Sequence, residues 1–376
     1  MTPLSSDRKA WARQHLRGVE NLTLPSFTAD LSALDQPGIR WDVRQSKAHG
    51  FVSTLCAAEQ HLSLDEAKRF VEIVVDEAGD DLLVSTTLFR DSLEENVELL
   101  ASAAGAGAHT ALLGYPATFL PKSEDEIYDV TRRLCEMSDI GIVLYATSNI
   151  AFERFHPSGF PPALLERIAA LPNVVGVKIG SGDPVFISEC FARCAEHALV
   201  NVTMSDWAPI TVLKMGQQWI GASCYEMLQS PEKPYVVDMF NLLLAGDYQR
   251  AVDIYWRTQP LYGLFGQHIM GIMQGFYPWA MFKYYQWCVG GNGGLPRSAG
   301  RMFAHQMMGA KMAYRMTGID PREPDAEFFA GRVNFQGHGP HEGAPPAGLF
   351  GSPESAVGAA GPLENERGND DRSDSE

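Results

Sequence analysis

Eight short apolar runs recur along the first two-thirds of the chain: NLTLPSF at 21–27, FVSTL at 51–55, LLVSTT at 82–87, TALLG at 110–114, GIVLYA at 141–146, VVGVK at 174–178, LVNVT at 199–203 and WIGAS at 219–223. None shows strict polar alternation, which is how strands buried on both faces read. From the second run onward the starts lie roughly 20–33 residues apart, the length of one βα unit, and stretches with helical period fill most gaps.

The helix starts carry their own signals. Ser63-Leu-Asp-Glu66, Ser92-Leu-Glu-Glu95 and Ser123-Glu-Asp-Glu126 each follow a strand and match the capping box, in which the serine oxygen accepts from an early N–H and the glutamate reaches back. Pro161 and Pro162 lead ALLERIAAL, a proline-first helix start. Eight strands with intervening helices predict an α/β fold, a (β/α)8 TIM barrel, over an open doubly wound sheet. The segment 28–50 is the exception: it is short and carries Pro37 and Gly38, so it predicts a truncated first helix. Beyond the eighth strand, helical pattern runs over about 231–318, too long for one barrel helix. It predicts a C-terminal helical extension whose Met and aromatic stripe is core or subunit interface in preference to a cofactor box. The expected organisation is an N-terminal arm at 1–20, the barrel at 21–230, the extension at 231–335 and a disordered acidic tail at 336–376, rich in Gly, Pro, Ser and acids.

Composition narrows the functional classes. The chain has 376 residues, 45% hydrophobic and 20% charged, with a formal net charge of -16. That charge argues against a nucleic-acid partner, which needs basic stripes. No apolar run approaches a membrane span, and the first residues lack the apolar core of a secretory signal. The six cysteines do not look like a disulfide framework, and Cys190 and Cys194 lack the second half of a zinc site, so both are expected as apolar packing. The cytoplasm is the expected compartment.

Barrel active sites form at the C-terminal ends of strands, so the reactive side chains that end strands are the candidates. Of nine lysines, Lys178 alone closes an apolar strand. Desolvation there lowers its pKa and frees the amine as a nucleophile toward carbonyls; the alternative is a strand-end ion pair. Tyr145 ends the neighbouring fifth strand, close enough in a barrel for its hydroxyl to move protons at that amine, unless it is merely packed. Thr86 and Thr87 end the third strand and either line the pocket or cap the strand. No GxxxxGK[ST], HExxH or GxSxG motif occurs, and GGNGG at 290–294 follows a helix, which reads as a loop.

Asn173-Val-Val-Gly-Val-Lys-Ile-Gly-Ser-Gly-Asp183 resembles the N-I-V-G-I-K-x-S-S-G-D segment of the dihydrodipicolinate synthase / N-acetylneuraminate lyase family of class I aldolases. Leu144-Tyr145-Ala146 stands where that family has L-Y-N, and Ala106-Gly-Ala-His-Thr-Ala-Leu112 where it has A-G-A-D-A-A-L. The resemblance covers roughly 20–320. It implies a carbon–carbon lyase with catalytic Lys178 and Tyr145, a covalent imine on Lys178 with no metal or organic cofactor, a small 2-oxo acid such as pyruvate plus an aldehyde as substrates, and a homo-oligomer, dimer or tetramer.

The departures shape the substrate reading. Leu55-Cys-Ala-Ala-Glu59 replaces G-T-T-G-E, whose threonines hold the keto-acid carboxylate, so only the glutamate survives; the candidates to rebuild that clamp are Ser53, Thr54 or backbone N–H groups, and Cys56 is a further expected substrate contact. Tyr115-Pro-Ala-Thr118 replaces the P-P-Y-Y that carries a relay tyrosine. Leu113-Gly-Tyr-Pro116 and Tyr-Ala look more like the hydratase-aldolase branch, which handles aryl-substituted pyruvates. Thr86, Tyr115, Trp207 and Trp219 are accordingly expected around a bulky apolar pocket, with Trp219 as the alternative filler of the barrel core. A sugar-acid dehydratase or lyase of the same family, and a catalytically lapsed ligand binder, are the competing readings.

Overall fold

The computed structural model describes residues 8–330 apart from 60, 148–149, 151, 222–223, 274–276 and 298–301. The expected tail at 336–376 and the first seven residues lie outside them.

Eight parallel strands form the barrel: β1 (Gly18–Thr23), β2 (Ser53–Cys56), β3 (Leu83–Leu88), β4 (Thr110–Leu113), β5 (Gly141–Thr147), β6 (Val174–Gly180), β7 (Leu199–Val202) and β8 (Trp219–Ile220). Each is hydrogen-bonded to its neighbours in the order β7-β6-β5-β4-β3-β2-β1-β8. The remaining seam, between β7 and β8, is stitched by a side chain. The Gln217 amide accepts from the Val202 N–H at 3.3 Å and donates to the carbonyls of Val202 and Trp219 at 3.3 and 3.0 Å. A buried glutamine thus substitutes for the missing ladder.

The barrel helices alternate with the strands: α2 (Gln36–Ala48), α3 (Leu64–Ala78), α4 (Leu93–Ala106), α5 (Glu124–Glu136), α6 (Pro162–Ala169), α7 (Pro184–Cys194), α8 (Ala208–Met215) and α9 (Tyr235–Leu244). An additional helix, α1 (Arg8–His15), precedes β1. Its Ala12, with the following Leu16, packs on Leu55, Leu112, Val143, Val175 and Trp219 and closes the N-terminal end of the barrel.

Two local expectations change. Helix α2 has 13 residues and is not truncated. Asp35 caps it by accepting from the Gly38 N–H at 3.2 Å, and Pro37 occupies the first turn, where no N–H is needed. Only one of the three capping boxes closes on both sides, that of Ser63 and Glu66. Ser92 and Ser123 accept from the Glu95 and Glu126 N–H groups, but Glu95 turns to Arg90 and Glu126 to the Lys122 N–H.

After α9 come α10 (Tyr248–Met273), α11 (Trp279–Cys288), α12 (Ala304–Thr317) and α13 (Asp325–Ala330). The extension is tied to the barrel by a buried cation. Lys283 of α11 donates to the Leu24 carbonyl at 3.1 Å, the Ser26 hydroxyl at 2.9 Å and the Asp42 carboxylate at 3.2 Å. A buried charge needs partners of this kind, and here they fix α11 over the C-terminal mouth of the barrel. Cys190 and Cys194 are buried free thiols on α7.

Candidate active site

Side chains alternate along barrel strands between the interior and the helix layer. Inside, at the C-terminal ends, a cavity forms. Its floor and walls include Leu22, Leu55, Thr87, Leu112, Tyr145 and Lys178. Its roof comes from the extension: Phe265 and Ile272 of α10, Tyr277, and Trp279 and Phe282 of α11. The aromatic segment expected as core or interface is therefore in part the lid of a cavity.

Lys178 and Tyr145 are register partners on β6 and β5. The ammonium lies 4.8 Å from the centre of the Tyr145 ring, a cation–π arrangement. Burial lowers the Lys178 pKa to about 8, against the opposing pull of Glu20 and Glu59. Burial raises the Tyr145 phenol; a hydrogen bond with Thr147 pulls it down and Glu59 pushes it up. The Tyr145 ring stacks on Phe89 at 5.8 Å. Gly114 permits this, since a Cβ there would fall 2.2 Å from the Phe89 ring.

Two carboxylates, Glu20 and Glu59, act on the lysine through their charge. Glu59, at the cavity wall, accepts from the Thr87 hydroxyl at 2.5 Å, and that hydroxyl accepts from the Ala58 N–H at 2.9 Å. Burial raises the Glu59 pKa. Glu20, in the middle of β1, is buried and raised to about 8, with Lys178 and the Trp219 indole pulling it back. The run beginning at residue 21 left Glu20 out of the predicted strand. A charged residue between Val19 and Asn21, just ahead of Leu22, is the signal the sequence offers.

The seven other candidates lie elsewhere. None is among the residues that line this cavity. Ser53 points inward as the register partner of Glu20 and is buried, with no partner for its hydroxyl among the described residues. Thr54 bonds Thr23 at 2.7 Å. Cys56, at the end of β2, is fully buried, and its thiol is pushed up by burial and by Glu20 and Glu59. Thr86 is buried and its hydroxyl donates to the Thr87 carbonyl at 3.4 Å; the adjacent Thr87 faces the cavity instead. Tyr115 bonds Thr131 at 2.5 Å and packs on Phe119, Phe152 and Phe160. Trp207 ends the 3-10 turn Ser205–Trp207, half-buried, its carbonyl accepting from Thr211. Trp219 fills the barrel core, the second of its two readings. Thr54 and Thr86 sit one position from the cavity-lining Leu55 and Thr87 because strand period two sends a neighbour to the opposite face.

A model of the dihydrodipicolinate synthetase family matches residues 30–271. The chain belongs to that family. Among curated relatives, a 4-hydroxy-tetrahydrodipicolinate synthase from Methanothrix thermoacetophila is 28% identical over 249 residues, 65% of this chain and 80% of the relative. One of the same name from Syntrophobacter fumaroxidans is 27% identical over 58% of this chain and 72% of its own. In fold, N-acetylneuraminate lyase from Fusobacterium nucleatum superposes with a TM-score of 0.66 at 17% identity, covering 80% of this chain and 98% of that one. A prophage member of the family from E. coli, solved with pyruvate, gives 0.68 at 17% over 81% and 99%. Membership makes the chain a lyase of the class I aldolase type, working through a lysine Schiff base without metal or organic cofactor. Among the described residues no group of three or more His, Cys, Asp or Glu is arranged to hold a metal.

Proposed function

We propose that the protein cleaves or forms a carbon–carbon bond of a 2-oxo acid, pyruvate or a close analogue, joined to a bulky apolar or aromatic aldehyde, as hydratase-aldolases do. One observation carries this reading: Lys178 is the sole cation among the described lining residues of a cavity walled mainly by apolar and aromatic side chains, with Glu59, Thr87 and Thr203 the polar exceptions besides the tyrosine hydroxyls. Lys178 attacks the ketone carbon, and the protonated imine draws electrons from the bond that breaks. Tyr145, beside it, moves the proton between the substrate oxygen and the lysine. Phe89, Tyr277, Trp279 and Phe282 form the apolar wall for the partner aldehyde. That wall offers few polar partners to a polyhydroxylated sugar acid. Borohydride with pyruvate and intact protein is the test: a pyruvate-derived mass on Lys178 supports the reading, and its absence sinks the pyruvate assignment.

A second reading rests on Cys56 and Ala57, which stand where the carboxylate-holding threonine pair would be, and on the two nearby glutamates. It takes the electrophile as an uncharged ketone or aldehyde. Adding butanone to the trapping panel separates the two.

The barrel-plus-extension organisation, a cytoplasmic place and a homo-oligomer belong to the same proposal. Among the described residues no helix is long and apolar enough to cross a membrane. Met308, Met312 and Met316 stand exposed along one face of α12, which suits a contact between copies.

A further inference from the structure

We propose that Glu59 is the acid–base residue of the carbon–carbon step: its carboxylate takes a proton from C3 of the ketone held on Lys178 and passes that proton to the aldehyde oxygen. The inference rests on the imine reading of Lys178 and names the group that works across from it.

The fold sets Glu59 opposite the nucleophile. It lies in the loop between β2, which ends at Cys56, and α3, which starts at Leu64. That loop is at the C-terminal end of the strands, the face on which barrels do chemistry. In the strand order β2 stands four places from β6, which in an eight-stranded barrel is the far side. Lys178 enters the cavity from β6 and Glu59 from beyond β2, and both line it. A ketone joined to Lys178 through its carbonyl carbon occupies the space between them.

The carboxylate is oriented and uncommitted. It is the only carboxylate among the described residues that line the cavity. The Thr87 hydroxyl, another lining group, donates to Glu59 Oε2 at 2.5 Å and is itself fixed by the Ala58 N–H at 2.9 Å. This bond engages Oε2 and leaves Oε1 to the cavity. Arg90, whose charge is felt at Glu59, spends its donors on Glu95 at 3.1 Å and on the Leu62 carbonyl at 2.9 Å. A carboxylate drawn out of water without an ion pair is costly, and the cost makes it a stronger base.

The other lining groups leave Glu59 this role. Tyr145 meets the ammonium through its ring at 4.8 Å, with its hydroxyl bonded to Thr147. The Cys224 thiol and the Tyr277 phenol are pushed up by burial and keep their protons, so neither accepts one.

The step balances. Glu59 takes a proton from C3 of the protonated imine. The C–H electrons become the C2–C3 double bond, and the imine electrons settle on nitrogen, giving a neutral enamine and a carboxylic acid. C3 then attacks the aldehyde carbon, and Glu59 gives its proton to the aldehyde oxygen. Cleavage runs the same transfers backwards, and the proton taken from the hydroxyl returns to C3.

The test needs pyruvate alone. Proton NMR in deuterated water reads exchange of the methyl protons at C3, and borohydride reads imine on Lys178. The parent should show both. In Glu59→Gln, imine trapping should persist while exchange falls by about 100-fold or more. Glu59→Asp withdraws the same group by one methylene. It should keep trapping and lose roughly tenfold or more in exchange, and it decides the matter if the amide variant does not fold. Exchange undiminished in whichever variant folds overturns the proposal, as does an equal fall in trapping and exchange. A parent that traps pyruvate without exchanging its methyl protons overturns it too. Butanone replaces pyruvate if the parent traps only that ketone. A parent that traps neither overturns the imine reading and this inference with it, a result distinct from the failure of Glu59 alone.

Discussion

The Lys178 ammonium lies over the face of Tyr145, 4.8 Å from the ring centre, and not at its hydroxyl. Register places both residues at the same level of adjacent strands, and the phenol oxygen turns to Thr147. The ring therefore favours the charged lysine, and under the proposed mechanism the hydroxyl is recruited by substrate before it moves a proton.

Tyr145→Phe separates these two roles. It keeps the ring, the stacking on Phe89 and the face offered to the ammonium. Imine trapping should survive, while turnover of the complete substrate falls by about 10²–10⁴-fold. Equal loss of trapping and turnover would refute the division.

Lys178→Arg preserves a cation and removes the nucleophile, since a guanidinium does not deprotonate in proteins. Trapping should vanish. In the parent, the rate of trapping should climb as pH rises through about 8, because only the neutral amine attacks and burial has brought it down to that range. A profile flat from pH 6 to 9 would contradict the assignment.

Gln217 closes the only seam of the barrel that lacks a backbone ladder among the described strands. Gln217→Ala leaves a buried N–H and two carbonyls unpaired. The expected cost is roughly 1–3 kcal/mol per group left unsatisfied, read as a lower midpoint in urea. An unchanged midpoint would mean that the seam needs no stitch.

Glu226 gives a stability prediction with a definite sign. Burial raises its pKa from 4.5 to about 8, with Asp42 adding to the rise and Asn21 and Gln286 opposing it. A carboxyl whose folded pKa is raised holds its proton better in the native state. Its stabilising contribution is complete below 4.5 and lost as pH climbs through about 8. Thermal midpoints should fall between about pH 4.5 and 8, and Glu226→Gln should reduce that fall while keeping an acceptor for Gln286, whose amide donates to the carboxylate at 2.7 Å. A slope unchanged by the substitution would acquit Glu226.

Trp279→Ala and Phe282→Ala open the roof. If the partner aldehyde rests there, KM for an aryl substrate should rise about tenfold or more while trapping of pyruvate alone is untouched. Loss of both would mean the roof holds the barrel together instead of holding a ligand.

The order of elements was legible in the chain because burial on both faces leaves apolar runs, and helix starts carry serine, aspartate and proline caps. Lys178 and Tyr145 were legible as cavity-lining neighbours because a lone lysine and a tyrosine ending apolar strands are conspicuous. The other binding candidates were not. Telling Thr86 from Thr87, or Thr54 from Leu55, depends on which face of a strand turns inward, and a run without polar alternation carries no sign of that. Trp219 was ambiguous because a large apolar ring suits a core and a pocket equally.

What the sequence determined by itself is the repeat of strand and helix and the placing of a lone lysine at the end of an apolar strand, since both follow from local patterns of burial. What only the tertiary structure decided is the company that lysine keeps. Glu20 is 158 positions away in the chain, and Trp279 and Phe282 more than a hundred in the other direction. Closing the barrel brings β1 near β6, and the Lys283 anchor sets α11 across the mouth. Such proximity is the product of many packed contacts summed over the fold, and no single stretch of residues encodes it.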